Sequence, residues 1–151
     1  MKTNKIQKIL IAMDYDETSI KVSEAGVNIA EALGAEIILL HVISEQPVYY
    51  SSYMNMRELQ VDMLGDLKIS AQIFLDKAKA HLGIESIKTV LIEGNISANI
   101  LKTAEEMNID LIVMGTHSRN WLEGIILGSE AQDVLKSTTI PLYIIPTKEP
   151  V

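Results

Sequence analysis

At 151 residues, with no cysteine and a formal charge of −7, the chain excludes a disulfide scaffold, a thiol nucleophile and cysteine-bound zinc. It also lacks the clustered Lys/Arg face that a duplex nucleic acid requires, and none of its apolar stretches approaches the ~18 residues of a membrane span, so neither nucleic acid nor membrane is an expected partner. The length suits one domain, residues 1–151, able to bury roughly two-thirds of the surface its unfolded form exposes.

The first predicted strand is Lys8-Ile-Leu-Ile-Ala-Met13, a short run rich in branched residues. Its apolar part, Ile9 to Met13, is too short for a signal peptide. With cysteine absent as well, the expected compartment is cytoplasmic. Ser19 to Leu33 follows as a helix, with Ile20, Ala25, Val27, Ile29, Ala30 and Leu33 as its core-facing stripe and Gly34 where a left-handed C-cap is expected.

The second strand is Glu36-Ile-Ile-Leu-Leu-His-Val42. Ile43 to Asn55, with Pro47, Tyr49, Tyr50 and Tyr53, reads as an irregular loop, either packed on the surface or folded over a ligand. A helix from about Met56 to Leu82 carries Leu59, Met63, Leu67, Ala71, Phe74, Leu75 and Ala78 near a 3.6 period and stops at Gly83. The third strand, Ile87 to Ile92, has Lys88 and Glu93 as charges guarding an edge. After Gly94 come a helix from Ile96 to Met107, the strand Asp110-Leu-Ile-Val-Met114, a helix from Ser129 to Lys136 with Ser129 as N-cap, and the strand Pro141-Leu-Tyr-Ile-Ile145.

The order βαβαβαβαβ predicts an α/β fold, an open five-stranded parallel sheet with helices on both faces. Such sheets bind ligands beyond the carboxyl ends of their strands, where the winding reverses. The segments after Met13, Val42, Ile92 and Met114 are therefore the places to look.

After the fourth strand comes Met114-Gly-Thr-His-Ser-Arg-Asn-Trp-Leu-Glu-Gly-Ile-Ile-Leu-Gly-Ser129. Glycines let backbone N–H groups approach an anion, and the helix starting at Ser129 turns its positive end to the same space. No lysine precedes that serine, so this is not a Walker loop, and the glycine spacing is not a dinucleotide fingerprint. Taken alone, Gly115 and Gly128 serve either turns or a phosphate. Asp14, in Asp14-Tyr-Asp-Glu-Thr-Ser19 after the first strand, is either a helix cap or an acceptor for sugar hydroxyls. Arg119 reads as a solvated arginine or a partner for a terminal phosphate, and Trp121 as a loop anchor or a stacking surface. His41, His81 and His117 share no metal-binding spacing. Ser129, His117 and Asp14 come without a nucleophile elbow, so no catalytic residue is expected.

These segments, together with Leu40-His-Val42, the Gly94 turn, Asp110-Leu-Ile-Val-Met-Gly-Thr-His117 and Ile140-Pro-Leu-Tyr-Ile-Ile-Pro146, resemble the nucleotide-binding subgroup of the universal stress proteins almost from end to end. The signature of that subgroup is Gly, two residues, Gly, nine residues, then Gly followed by Ser or Thr. Gly115 and Gly128-Ser129 fall in register with it, and Ser118 stands in place of the middle glycine.

The resemblance implies a Rossmann-like sheet of the adenine nucleotide alpha hydrolase type. It also implies a ligand, ATP first and ADP or AMP otherwise, and a stress-response or signalling role. It places in the site Ala12, Met13, Asp14, Val42, Met114, Gly115, Thr116, Ser118, Arg119, Gly128, Ser129 and Glu130. The adenine edge would lie on the Val42 backbone, the ribose at Asp14 and the phosphates over Gly115 to Ser129. The family usually continues after the aspartate with a small residue and a serine, where this chain has Tyr15 and Asp16. The Asp16 charge beside the phosphates makes magnesium an expected companion. The resemblance further implies a homodimer through the apolar last strand, Leu142 to Ile145. With no evident base for water, ATP hydrolysis would at most be slow. The alternative is a nucleotide-free dimeric adaptor on the same fold.

Overall fold

The computed structural model describes residues 4–45, 56–116 and 127–147, with side chains in the second stretch described from residue 63 onward. The elements in chain order are β1 (Lys8–Ala12), α1 (Thr18–Leu33), β2 (Glu36–Ser44), α2 (Met56–Leu82), β3 (Lys88–Gly94), α3 (Ile96–Glu106), β4 (Leu111–Gly115), α4 (Ser129–Ser137) and β5 (Leu142–Ile145). All neighbouring strands run parallel, in the order β3-β2-β1-β4-β5. The predicted α/β sheet is therefore the observed one, with β3 at an edge as its flanking charges implied.

Near-continuous apolar strands form here because both faces of the sheet are covered. Ile9 and Ile11 of β1 join Leu39, Val113, Val27, Ala30 and Leu75 in a core beneath α1 and α2. Leu10, between them, joins Leu40, Ile112, Met114, Ile100 and Val134 beneath α3 and α4. Ile9, Leu10 and Ile11 are completely buried, which makes β1 the centre of both layers. Asp110 fixes the start of that strand from across the sheet: its Oδ2 accepts the N–H groups of Gln7 at 2.8 Å and Lys8 at 3.0 Å.

Several local expectations are corrected. In α1, Ile20 and Leu33 face solvent, and the buried stripe is Ser19, Val22, Ser23, Gly26, Val27 and Ala30. The helix uses small residues there because it lies very close to the sheet. A Cβ on Gly26 would stand 2.5 Å from Ile11 Cδ1. The two buried serines satisfy their hydroxyls on carbonyls three residues back, Asp16 and Ile20. In α2, Ala71 and Leu75 of the predicted stripe are buried, whereas Met63 and Leu67 are exposed; the side chain of Leu59 lies outside the described residues. β2 runs on to Ser44, two residues into the predicted loop. The rest of that loop, with Tyr49, Tyr50 and Tyr53, lies outside the described residues. Gly34 and Gly83 do end their helices in left-handed conformation, at φ 65° and 70°.

Candidate functional site

The strand order decides which strand ends matter. β1 connects outward to β2 on one side and pairs with β4 on the other, so the winding reverses between β1 and β4, and a crevice opens past their carboxyl ends. A cleft of about 690 Å³ lies there, within the usual range of small-molecule sites, roughly 300–1,000 Å³. Ala12, Met13, Asp14, Val42, Met114, Gly115, Thr116, Gly128, Ser129 and Glu130 all line it. Ser118 and Arg119, with His117 and Trp121, lie outside the described residues.

One end of the cleft is apolar, walled by Leu40, Val42, Ile96, Ile100 and Met114. Its backbone edge follows from strand geometry. The Leu40 carbonyl accepts the Met13 N–H at 2.8 Å, so it faces β1. Residues two apart on a strand present their N–H and C=O groups to the same side, so those of Val42 point to that same edge. The β1–β2 ladder ends with Ala12 opposite Leu40, and Val42 lies beyond its last rung, at the cleft.

The other end is polar and formed by Gly115, Thr116, Gly128 and Ser129. Ser129 is not the N-cap: Gly128 occupies that position with φ −66° and ψ 161°, and no side chain caps the helix. The other two N-termini near the cleft differ. In α3 the Asn95 side chain accepts the Ala98 N–H. Before α1, Asp16 Oδ1 accepts both the N–H and the hydroxyl of Thr18, at 2.8 and 2.5 Å. Asp16 is thus bonded to the first residue of α1, whose N-cap position is Glu17, and Asp14 is exposed at the cleft. At α4 the N-cap residue is a glycine, so its own side chain cannot cover the first N–H groups, which meet the cleft.

Sequence reasoning missed two supports. Where β1 leaves the sheet, His41 Nδ1 donates to the Met13 carbonyl at 2.6 Å. Tyr15 packs on Phe74 of α2 with ring centroids 4.7 Å apart, which ties the turn carrying Asp14 and Asp16 to that helix. The second support is a pair of buried threonines, Thr116 and Thr147, whose hydroxyls lie 3.0 Å apart. No local motif announces either; the faint signal was Tyr15, where the family usually has a small residue.

The pattern of the universal stress protein family matches residues 5–146 of this chain. The chain belongs to that family. Universal stress protein MJ0531 of Methanocaldococcus jannaschii is 31% identical over 148 residues, which span 97% of this chain and 86% of that protein. MJ0577 of the same organism is 27% identical over 94% of this chain and 96% of its own. The solved structure of MJ0577 superimposes with a TM-score of 0.75 over 97% of this chain and 99% of that one. In fold alone, UspA of Lactobacillus plantarum is similar at a TM-score of 0.80 and 20% identity, over 95% and 99% of the two chains. A universal stress protein solved in complex with cAMP is similar at 0.67 and 22%, over 96% and 100%.

Within this universal stress protein cleft the side-chain charges are all negative. Asp14, Asp16 and Glu130 line it, with no Lys, Arg or His among the described lining residues. Burial first, then the charges of Asp133 and Asp14, raise the Glu130 carboxyl above the ordinary glutamate value of 4.5, against a hydrogen bond from the Ser97 N–H that lowers it. The folded protein therefore holds this proton more tightly than the unfolded chain does. Across the interval between the two values the native state binds more protons, so this group's contribution to stability declines as pH rises and improves as pH falls. Glu130→Gln keeps an acceptor for Ser97 and removes the charge. For an anionic ligand in this cleft, the change is expected to tighten binding about two- to fivefold at neutral pH, the scale of a partly solvated charge pair. Near pH 4.5 the gain shrinks, as the wild-type carboxyl takes up a proton. Titration calorimetry of both proteins at the two pH values checks this, and an equal gain at both would refute it.

Proposed function

We propose that this protein binds an adenine nucleotide, ATP first and ADP or AMP otherwise, in the cleft between β1 and β4, and works as a cytoplasmic stress-response or signalling module rather than as a catalyst. The observation that carries the reading is the N-terminus of α4, which opens on the cleft without a side-chain cap. Backbone N–H groups at a helix start hold phosphate without any cationic side chain, which answers the acidic lining. The apolar wall and the Val42 backbone edge suit a flat adenine ring, and Asp14 suits two ribose hydroxyls. Ser118 and Arg119 are assigned to the phosphates by their place in the motif. The fold-level neighbour in complex with cAMP supports the reading to the extent that this architecture accommodates an adenine nucleotide.

Magnesium fits as a companion of the phosphates. No group of three or more His, Cys, Asp or Glu that could hold a metal occurs among the described residues. Mg²⁺ commonly takes one or two carboxylates together with substrate phosphates, and Asp16 is the carboxylate within the cleft that would take part. The cation would offset phosphate charge against that acidic lining. We also propose a homodimer through β5, which among the described residues pairs only with β4 and leaves Tyr143 exposed; a monomer by sedimentation at micromolar concentration would contradict it.

The test is direct. Purified protein is denatured and its released small molecules are identified by mass spectrometry, and thermal unfolding is followed with and without millimolar ATP and magnesium. An adenine nucleotide in the extract or an upward thermal shift is the expected result; absence of both sinks the reading. The second reading, a nucleotide-free dimeric adaptor, is favoured by the acidic lining and predicts that double absence.

A further inference from the structure

We propose that Thr147, just past the last strand, is a positioning residue for the phosphate end of the cleft, an inference that rests on the nucleotide reading above. Thr116 is a junction. Its N–H donates to the Ile145 carbonyl at 3.0 Å, and its own carbonyl accepts the N–H of Gly128, the N-cap residue of α4, at 2.6 Å. That second bond closes the neck of the glycine loop, because residues 116 and 128 are its two ends. The Thr116 hydroxyl accepts the Thr147 N–H at 3.1 Å and lies 3.0 Å from the Thr147 hydroxyl. Both side chains are buried, at 6% and 9% exposure.

The hydroxyl of Thr116 is thus taken up by Thr147, and this residue serves the site through its backbone. The Thr147 methyl adds a second constraint. A Cβ on Gly115 would stand 2.8 Å from Thr147 Cγ2, so Thr147 packs against the loop base that it also hydrogen-bonds. The chain of contacts runs from Thr147 through Thr116 to Gly128 and the start of α4. A helix start aimed at an anion gains from being held in place before the ligand arrives, and Thr147 is the residue that holds it from the far side of the chain.

Thr147→Val keeps the branched shape and the Cγ2 contact and removes the hydroxyl. The expected result is about a tenfold loss of ATP affinity with adenosine affinity unchanged, because adenosine makes no use of the loop neck. Thr147→Ser, which restores the hydroxyl but lacks the methyl, binds ATP more tightly than the valine variant and more weakly than wild type. A valine variant that binds ATP as wild type does, or that loses ATP and adenosine in equal measure, overturns the assignment. In the wild-type protein, amide hydrogen exchange supplies a readout that needs no variant: added ATP slows exchange at Gly128 and Thr147 together, and slowing at Gly128 alone overturns the coupling. If wild type binds neither ATP nor adenosine, the nucleotide reading itself has failed, and this assignment with it. If wild type binds and only the Thr147 outcomes disagree, the reading stands without the assignment.

Discussion

On the proposed nucleotide reading, Asp14→Ala is expected to lower ATP affinity about tenfold and to remove a preference for ATP over 2′-deoxy-ATP. Two opposing effects set that size. A carboxylate accepting a ribose hydroxyl is a charged hydrogen-bond partner, and losing such a bond removes about 1.5–3 kcal/mol. The substitution also takes a negative charge away from the phosphates. At roughly 8 Å in water, each charge pair is worth about 0.5 kcal/mol before salt reduces it, so even several phosphate charges return less than the hydroxyl contact supplied. The contact dominates. Calorimetric titration with both nucleotides is the measurement. If the variant still discriminates against the 2′-deoxy form, the ribose does not sit at Asp14.

Gly115→Val is expected to lower stability by about 3 kcal/mol, which for a chain of this length moves the unfolding midpoint down by roughly 6–12 °C, and to abolish ATP binding. The glycine is needed for space. A Cβ there would lie 2.8 Å from Thr147 Cγ2 on one side and 2.9 Å from Val22 Cγ2 on the other. Val22 is a buried core residue of α1, and Thr147 is hydrogen-bonded to Thr116, so neither neighbour retreats without disturbing something else. Gly115→Ala introduces a single methyl and falls between wild type and the valine variant. A Gly115→Val protein that melts within about 2 °C of wild type would show that the crowding is relieved at little cost.

The fold was readable because its signals are local and repeated. Strands buried on both faces must be apolar throughout, and helices that end in left-handed glycine carry their own stop marks. Long-range consequences of packing were not readable in that way. In α1 the buried stripe runs through Ser19, Ser23 and Gly26 rather than Ile20 and Leu33, because closeness to Ile11 selects small residues, and counting apolar positions overlooks that demand. The residues read from the loop after β4 and the aspartate after β1 line the cleft where they are described. How they are supported was not found. Asp16 is bonded to the first residue of α1, its side chain reaching the Thr18 N–H two residues ahead, a contact that composition leaves open. Thr116 and Thr147 are 31 residues apart in the chain, and two ordinary threonines acquire meaning only when β4 and β5 lie side by side.

The position of the cleft also bears on the order in which the molecule assembles. β1, β2 and β3 are neighbours in sequence as well as in space, so that half of the sheet forms through short-range crossovers. β4 must return to the free side of β1, pairing Ile9 with Leu111 across about a hundred residues of chain, and closing so long a loop opposes the step entropically. Until that pairing is made, Asp14 and the start of α4 do not face each other and the cleft does not exist. A ligand spanning the seam therefore recognises only the completed sheet. Its binding would add to the stability of the closed sheet by mass action, about 2.7 kcal/mol at a hundredfold excess over Kd, so nucleotide concentration would set how far the closed sheet outweighs the open one.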